Sequence, residues 1–233
     1  MQFLSVSRFG TFCRINFRSN ITHYQNLTHM NIAIIGAGNV GGALATQWHK
    51  AGHTVIIGTR DRQSTKVQKV LDATPNMAVA SIEEAVHQSD VILISTPPTA
   101  IFDLIAQMGD VTGKFIIDAT NAVRQKPEPY ATVYHALVDK TNAEAVKCFN
   151  STGFENMQNP VYHGEGIDMF MAGSSLKAKE IAAQLAKDAG FGACWDFGGS
   201  DKVELLEQFA LSWINLAILQ GHGRNLAFKV IKR

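Results

Sequence analysis

The segment Ile34-Ile35-Gly36-Ala37-Gly38-Asn39-Val40-Gly41 constrains this chain more than any other. It is a GxGxxG turn that follows an apolar run, Ile32–Ile35, and opens a helical stretch, Val40–Ala51. A strand that passes through glycines into a helix presents free backbone N–H groups and a positive dipole end to whatever lies before it. Each glycine then has its own task. Gly36 permits the tight turn, Gly38 lets a pyrophosphate approach the backbone, and Gly41, with Gly42, brings the helix close to the strand.

The rest of the chain repeats this alternation. Short apolar runs fall at Ile32–Ile35, Thr54–Ile57, Met77–Ala80, Val91–Ser95, Phe115–Asp118, Ala145–Phe149 and Met169–Ala172. Most are continuous, as expected of strands buried on both faces of a parallel sheet. Helical stretches intervene at Val40–Ala51, Thr65–Ala73, Ile82–Gln88, Ala100–Gln107, Ala131–Asp139 and Leu176–Ala189. Ser81-Ile82-Glu83-Glu84 reads as a capping box, and Gly52 and Gly190 stand where helix-ending glycines belong. The pattern predicts an α/β protein: a doubly wound, mostly parallel Rossmann sheet over residues 30–233, with a C-terminal helical extension from residue 200.

The second strand ends in Ile57-Gly58-Thr59-Arg60-Asp61-Arg62. An NAD site places a carboxylate at that terminus, about 20 residues after the glycines, to hold the ribose hydroxyls. Here a hydroxyl and a guanidinium stand there instead, which suits a 2′-phosphate. The expected cofactor is therefore NADP(H), with Asp61 as the one dissonant neighbour. Ligands of such sheets lie beyond the carboxyl ends of the strands. Three later ends could reach this one: Ser95-Thr96-Pro97-Pro98, the loop Asp118 to Val123 with Asn121, and Cys148 to Phe154 with Asn150, Ser151 and Thr152 as candidate substrate contacts.

Other classes find little support. The 233 residues carry 21 basic against 20 acidic side chains, a formal charge of +1, so no basic excess points to nucleic acid. Three of those basic residues (Arg8, Arg14, Arg18) and none of the acids fall in residues 1–29, which leaves the remainder mildly acidic. Residues 1–29 read as a leader, either an organellar transit peptide or a stretch ahead of a functional start at Met30. The second is preferred, because Gly10, Asn16 and Asn20 interrupt any amphipathic helix. Cys13, Cys148 and Cys194 form no CxxC pair and fit free thiols in a reducing, cytoplasmic setting, or an organelle if the leader is genuine. No His or Cys spacing suits a metal, and no Gly-x-Ser-x-Gly elbow or other catalytic group stands out. Leu205–Gln220 is apolar but shorter than a bilayer span. It is apolar on most of its circumference, with Leu206, Phe209, Trp213 and Leu216 on one side and Leu211, Ile214 and Ile218 on another. That leaves a homodimer contact and burial within one subunit as alternatives. His222 reads as part of the cap that ends this helix, with substrate contact the second choice.

The GAGNVG turn, the Gly58-Thr59-Arg60 strand end and the closing VELLEQFALSWINLAILQGHGRNLAFKV segment together resemble the deazaflavin-dependent NADP reductase family (coenzyme F420:NADP oxidoreductases). The metalloreductase domain of the six-transmembrane epithelial antigens looks similar. The resemblance spans roughly Met30 to Val230. It implies that Ala37, Gly38, Asn39 and Val40 contact the pyrophosphate and that Thr59 and Arg60 hold the 2′-phosphate. It also implies that Pro97, Val123 and Phe154 flank the nicotinamide half. Asn150-Ser151-Thr152-Gly153 departs from the archaeal pattern, in which His and Pro are usual.

The resulting expectation is an NADPH-dependent oxidoreductase that passes hydride to a flavin, deazaflavin or other small acceptor. A non-catalytic NADP(H) sensor or partner-binding module, and an imine or β-hydroxyacid reductase, are the alternatives. Hydride exchange between rings needs stacking and a dry pocket more than an acid or base.

Overall fold

The computed structural model describes residues 29–233; the expected leader at 1–29 lies outside them apart from His29. Ten strands and eight α-helices are formed. The first half alternates strictly: β1 (Asn31–Ile35), α1 (Asn39–Lys50), β2 (Thr54–Gly58), α2 (Thr65–Ala73), β3 (Ala78–Ala80), α3 (Ile82–His87), β4 (Val91–Ile94), α4 (Ile101–Met108) and β5 (Phe115–Asp118). Then come α5 (Val133–Lys140), β6 (Glu144–Cys148), α6 (Phe154–Gln158), the hairpin β7 (Val161–Tyr162) and β8 (Glu165–Gly166), β9 (Met169–Ala172), α7 (Leu176–Asp188), β10 (Cys194–Asp196) and α8 (Val203–Ile214).

Eight strands form one sheet in the order β10-β9-β6-β5-β4-β1-β2-β3. All pairings are parallel except β6 with β9. The order reverses direction between β1 and β4, which opens the crevice where ligands of doubly wound sheets bind. Successive residues of β1 feed opposite cores. Ile32 and Ile34 pack with Leu44, Trp48 and Leu185 of α1 and α7, while Ala33 and Ile35 pack with α3, α4 and α5. Buried two-sided strands of this kind explain why the runs read as continuous rather than alternating.

Local chemistry sets the helix starts. Ser64, Thr132 and Ser175 cap α2, α5 and α7 through their hydroxyls. Ser81 and Glu84 make the reciprocal capping box of α3. Gly52 and Gly190 end α1 and α7 at φ of 96° and 95°. Helix α1 differs: it starts at Gly38 with neither a side-chain cap nor an acid in its first turn. Its leading N–H groups are left for another acceptor.

The elements that pattern reading passes over are the short ones. β7, β8, β10 and α6 span two to five residues, too few to show a period. The expected C-terminal helix is also divided. α8 gives way to a π-helical turn over Asn215–Leu219. The N–H groups of His222 and Gly223 reach back to the carbonyls of Leu216 and Ala217. His222 thus does close the helix, through its backbone, and after Leu219 the tail carries no further helix.

That tail returns to the sheet edge. Asp168 accepts the N–H of Val230 (2.8 Å), the indole N–H of Trp195 (2.7 Å) and the N–H of Ala193 (3.1 Å). Burial pushes the Asp168 carboxyl up, but these three donors outweigh it and hold it below the ordinary carboxylate value. A carboxyl with a lowered folded pKa contributes stability that is present above its unfolded pKa and lost as pH falls through the folded one. Acidification below pH 4 should therefore free residues 228–233, seen as faster amide exchange at Val230. Asp168→Asn should show the same release at pH 7, and protection that persists in both cases would refute this anchoring.

Candidate functional site

The turn after β1 is built by close contact. Gly36 lies at φ 104°, and a Cβ there would stand 2.7 Å from the carbonyl oxygen of Ser95 at the end of β4. The Ser95 hydroxyl donates to the Gly36 carbonyl at 2.7 Å. Gly41 is tighter still, since a Cβ would meet that carbonyl at 2.0 Å and Ser95 Oγ at 2.4 Å. Gly38 is the opposite case: a Cβ there would touch nothing within 4 Å. Two glycines are demanded by the protein itself, and the third faces open space. Ser95, a sequence candidate for cofactor contact, is occupied in bracing the turn.

At the end of β2, the Thr59 hydroxyl accepts the N–H of Asp61 and donates to its carbonyl, both at 3.1 Å. The Asp61 carboxylate accepts the N–H of Gln63 at 2.9 Å. One oxygen of the acid beside the expected 2′-phosphate is thus engaged by its own loop. Arg62 pairs with Glu84 at 3.2 Å, both side chains being more than half exposed. Arg60 is exposed and makes no ion pair among the described residues. With Gly36, Thr59, Ile82, Thr96 and Leu104 it lines a cavity of about 230 Å³. Thr96 thus reaches the site, while Pro97 is exposed at the start of the short turn before α4.

The loops after β5 and β6 are tied together. Asn121 donates to the carbonyl of Asn150 at 2.8 Å, and the Asn150 amide donates to Asn121 Oδ1 at 2.9 Å. Phe149 enters the second loop at φ 61°, a costly conformation for a bulky residue. Its buried ring holds it there, edge-on to Trp48 and Phe191. Val123 is partly exposed beyond the pair. The buried Thr120 Oγ1 and Asn150 Oδ1 have no hydrogen-bond partner among the described residues. They are acceptors a bound amide could satisfy.

The three candidate substrate residues are placed less openly than their sequence suggests. Asn150 and Ser151 are buried, and Ser151 packs its hydroxyl on Met169 Sδ. Thr152 accepts from Asn156 at 2.6 Å. These side chains shape the wall of the loop, because β6 ends inside the core and its first loop residues remain there. Phe154 begins α6 and shares a groove with Ala37, Gly38 and Asn39 of the glycine turn. Arg224 of the tail lies over its ring at 5.5 Å and pairs with Glu155.

The structure adds a feature that pattern reading missed: Lys147 of β6 is fully buried between Asp118 and Glu207. The signal was present, as a lysine inside the apolar run Ala145–Phe149. Among the described residues, no three His, Cys, Asp or Glu side chains are arranged to hold a metal ion. No described helix is long and apolar enough to cross a membrane.

This geometry can be set beside known proteins. The F420-dependent NADP reductase of Methanothermobacter thermautotrophicus is 28% identical over 220 residues, covering 86% of this chain and 94% of that protein. Residues 31–122 match the family model described as NADP oxidoreductase, coenzyme F420-dependent. The matched stretch holds the glycine turn, the β2 end and the β4 and β5 loops. Metalloreductase STEAP3 of Rattus norvegicus is 25% identical over 169 residues, covering 69% of this chain and 32% of that protein. Among solved structures, a candidate F420-dependent NADP reductase from Arthrobacter sp. FB24 superposes with a TM-score of 0.76 at 24% identity. It covers 87% of this chain and 100% of that one. A reductive aminase from Aspergillus terreus gives 0.60 at 18% identity, covering 83% and 63%. At these identities the structural likeness is one of fold.

Proposed function

We propose that this protein is an NADPH-dependent oxidoreductase that exchanges hydride between NADP(H) and a flavin- or deazaflavin-like acceptor. The observation that carries this reading is Arg60, a guanidinium without an ion-pair partner among the described residues, at the one strand end where a carboxylate would select NAD. The fold, the family match of residues 31–122 and the open space before Gly38 support it.

When bound, the dinucleotide supplies the hydride; the chain supplies position. In this reading Ala37 to Val40 offer N–H groups at the α1 terminus to the pyrophosphate. Thr59 and Arg60 hold the 2′-phosphate. The loop of Thr96 and Pro97 follows the path from adenosine to nicotinamide, with Pro97 on the nicotinamide half, and Asn121, Val123 and Phe154 enclose the reacting end. Asn150, Ser151 and Thr152 shape the acceptor's wall and keep it dry. The reading includes a homodimer formed on the outer face of α8 and its π-turn, where Leu205, Ile218 and Leu219 are 53%, 48% and 70% exposed. Sedimentation would show it.

Fluorescence titration tests the central claim. NADPH should bind more tightly than NADH by roughly tenfold or more, since a charge-assisted pair contributes about 1.5–3 kcal/mol. Arg60→Gln should remove most of that difference. Equal affinities in the unaltered protein would sink the reading. NADPH oxidation with coenzyme F420, a flavin and a ferric chelate then ranks the acceptors.

A further inference from the structure

Lys147 lies in the middle of the sheet with no exposure, its Nζ 2.9 Å from Asp118 Oδ2 and 2.5 Å from Glu207 Oε1. Register explains the first contact, because Lys147 and Asp118 are directly paired on the parallel strands β6 and β5. The second reaches across to α8. The remaining oxygens of the two acids are also used: Asp118 Oδ1 accepts the N–H of Thr120, and Glu207 Oε2 accepts the N–H of Ala122, both at 2.9 Å. The loop after β5 therefore hangs by alternate amides from two carboxylates that one ammonium holds together.

Stability alone is a weak reason for such a cluster, since apolar residues of similar volume serve as well or better. What charged groups locked in this way do provide is a defined position for each oxygen. We infer that Glu207 is a positioning residue: from α8 it sets the Asn121–Val123 segment against the reacting end of the cofactor, and Lys147 keeps it in register. The inference rests on the reading above for where that end lies. It makes the C-terminal helix part of the site, since Glu207 shares a cleft with Ala122 and Val123.

Glu207→Gln tests it, because a single remaining oxygen cannot serve both Lys147 and Ala122. Glu204→Gln, an exposed change on the preceding turn of the helix, is the control. In nucleotide-free protein, amide exchange in residues 119–123 should quicken roughly tenfold in the Glu207 variant only. With NADPH and an acceptor, kcat should fall about tenfold while the NADPH dissociation constant stays within about threefold, as expected when a reacting group is misplaced but still bound. If exchange is unchanged, or if only the melting temperature drops while kcat holds, Glu207 merely fastens α8 and the inference is overturned. Should Glu207→Gln fail to fold, Glu207→Asp keeps a carboxylate in the cluster with one methylene less reach, and the same two readouts decide. Failure of unaltered protein to bind NADPH would defeat the functional reading instead, leaving the exchange result to stand by itself.

Discussion

Gly38→Ala is expected to leave the folded protein as stable as before and to abolish dinucleotide binding, whereas Gly41→Ala should damage both. The two glycines are three residues apart in one turn, yet their surroundings are opposite. Gly38 has φ −72° and ψ −165°, an extended conformation that alanine adopts freely, and its added methyl meets nothing within 4 Å. Replacement there should change stability by no more than about +0.4–1 kcal/mol, through the unfolded chain. The methyl would, however, stand where a pyrophosphate must approach the α1 terminus, displacing charge-assisted bonds of about 1.5–3 kcal/mol each. NADPH affinity should drop by roughly a hundredfold or more. At Gly41 the methyl would collide with the Gly36 carbonyl and Ser95 Oγ, so the turn must open and the Ser95 bond break. Overpacking of this kind costs about 1–3 kcal/mol before any ligand is considered. Thermal melts with and without NADPH separate the effects. A Gly38→Ala protein that binds NADPH normally would show that no phosphate sits on this turn.

The contrast also marks how far sequence reading reaches. The GxGxxG pattern placed the turn, its helix and the need for glycine at positions 36 and 41, because these follow from backbone geometry that any chain must obey. It could not say that Ser95 braces the turn. That depends on β4 lying beside β1, which is a fact of strand order rather than of local pattern. Strands buried on both faces announce themselves as apolar runs, so β1, β2, β4 to β6 and β9 were legible to within a residue or two, and the edge strand β3 was legible because Met77-Ala78-Val79-Ala80 is apolar throughout. β10 was not, because Cys194-Trp195-Asp196 lies at the sheet edge, half exposed, and needs no run. The site divides in the same way. The exposed place of Arg60 at the β2 end follows from local pattern, since its signal is a missing carboxylate at a known offset. The burial of Asn150 and Ser151 was not legible, because polar residues after a strand usually face solvent, whereas here Phe149 in its left-handed conformation keeps the loop within the core. Glu207 carries no signal of its own within an apolar helix, because the lysine that meets it comes from β6.

That lysine carries the largest expected loss of stability. Lys147→Met should cost about 3–5 kcal/mol, the usual consequence of removing one member of a buried ion cluster. Methionine fills a similar volume, so little of this comes from a cavity. The loss arises because Asp118 and Glu207 would face each other inside the protein, both without water and without a cation. Urea unfolding at pH 7 measures it, read from the midpoint if the slope is unchanged. The same argument predicts its remedy. Removing all three charges together, as Asp118→Leu with Lys147→Met and Glu207→Leu, leaves no buried charge and should recover most of the lost stability. It should not recover the loop, because the amides of Thr120 and Ala122 would then have no carboxylate to meet. A triple variant as stable as the unaltered protein, but with rapid exchange at residues 119–123, would separate the two roles of the cluster. If the triple variant instead restores protection in that loop, backbone packing alone holds it in place. If Lys147→Met loses less than about 1 kcal/mol, the carboxylates are not confined as the geometry requires, since that is the range of exposed pairs.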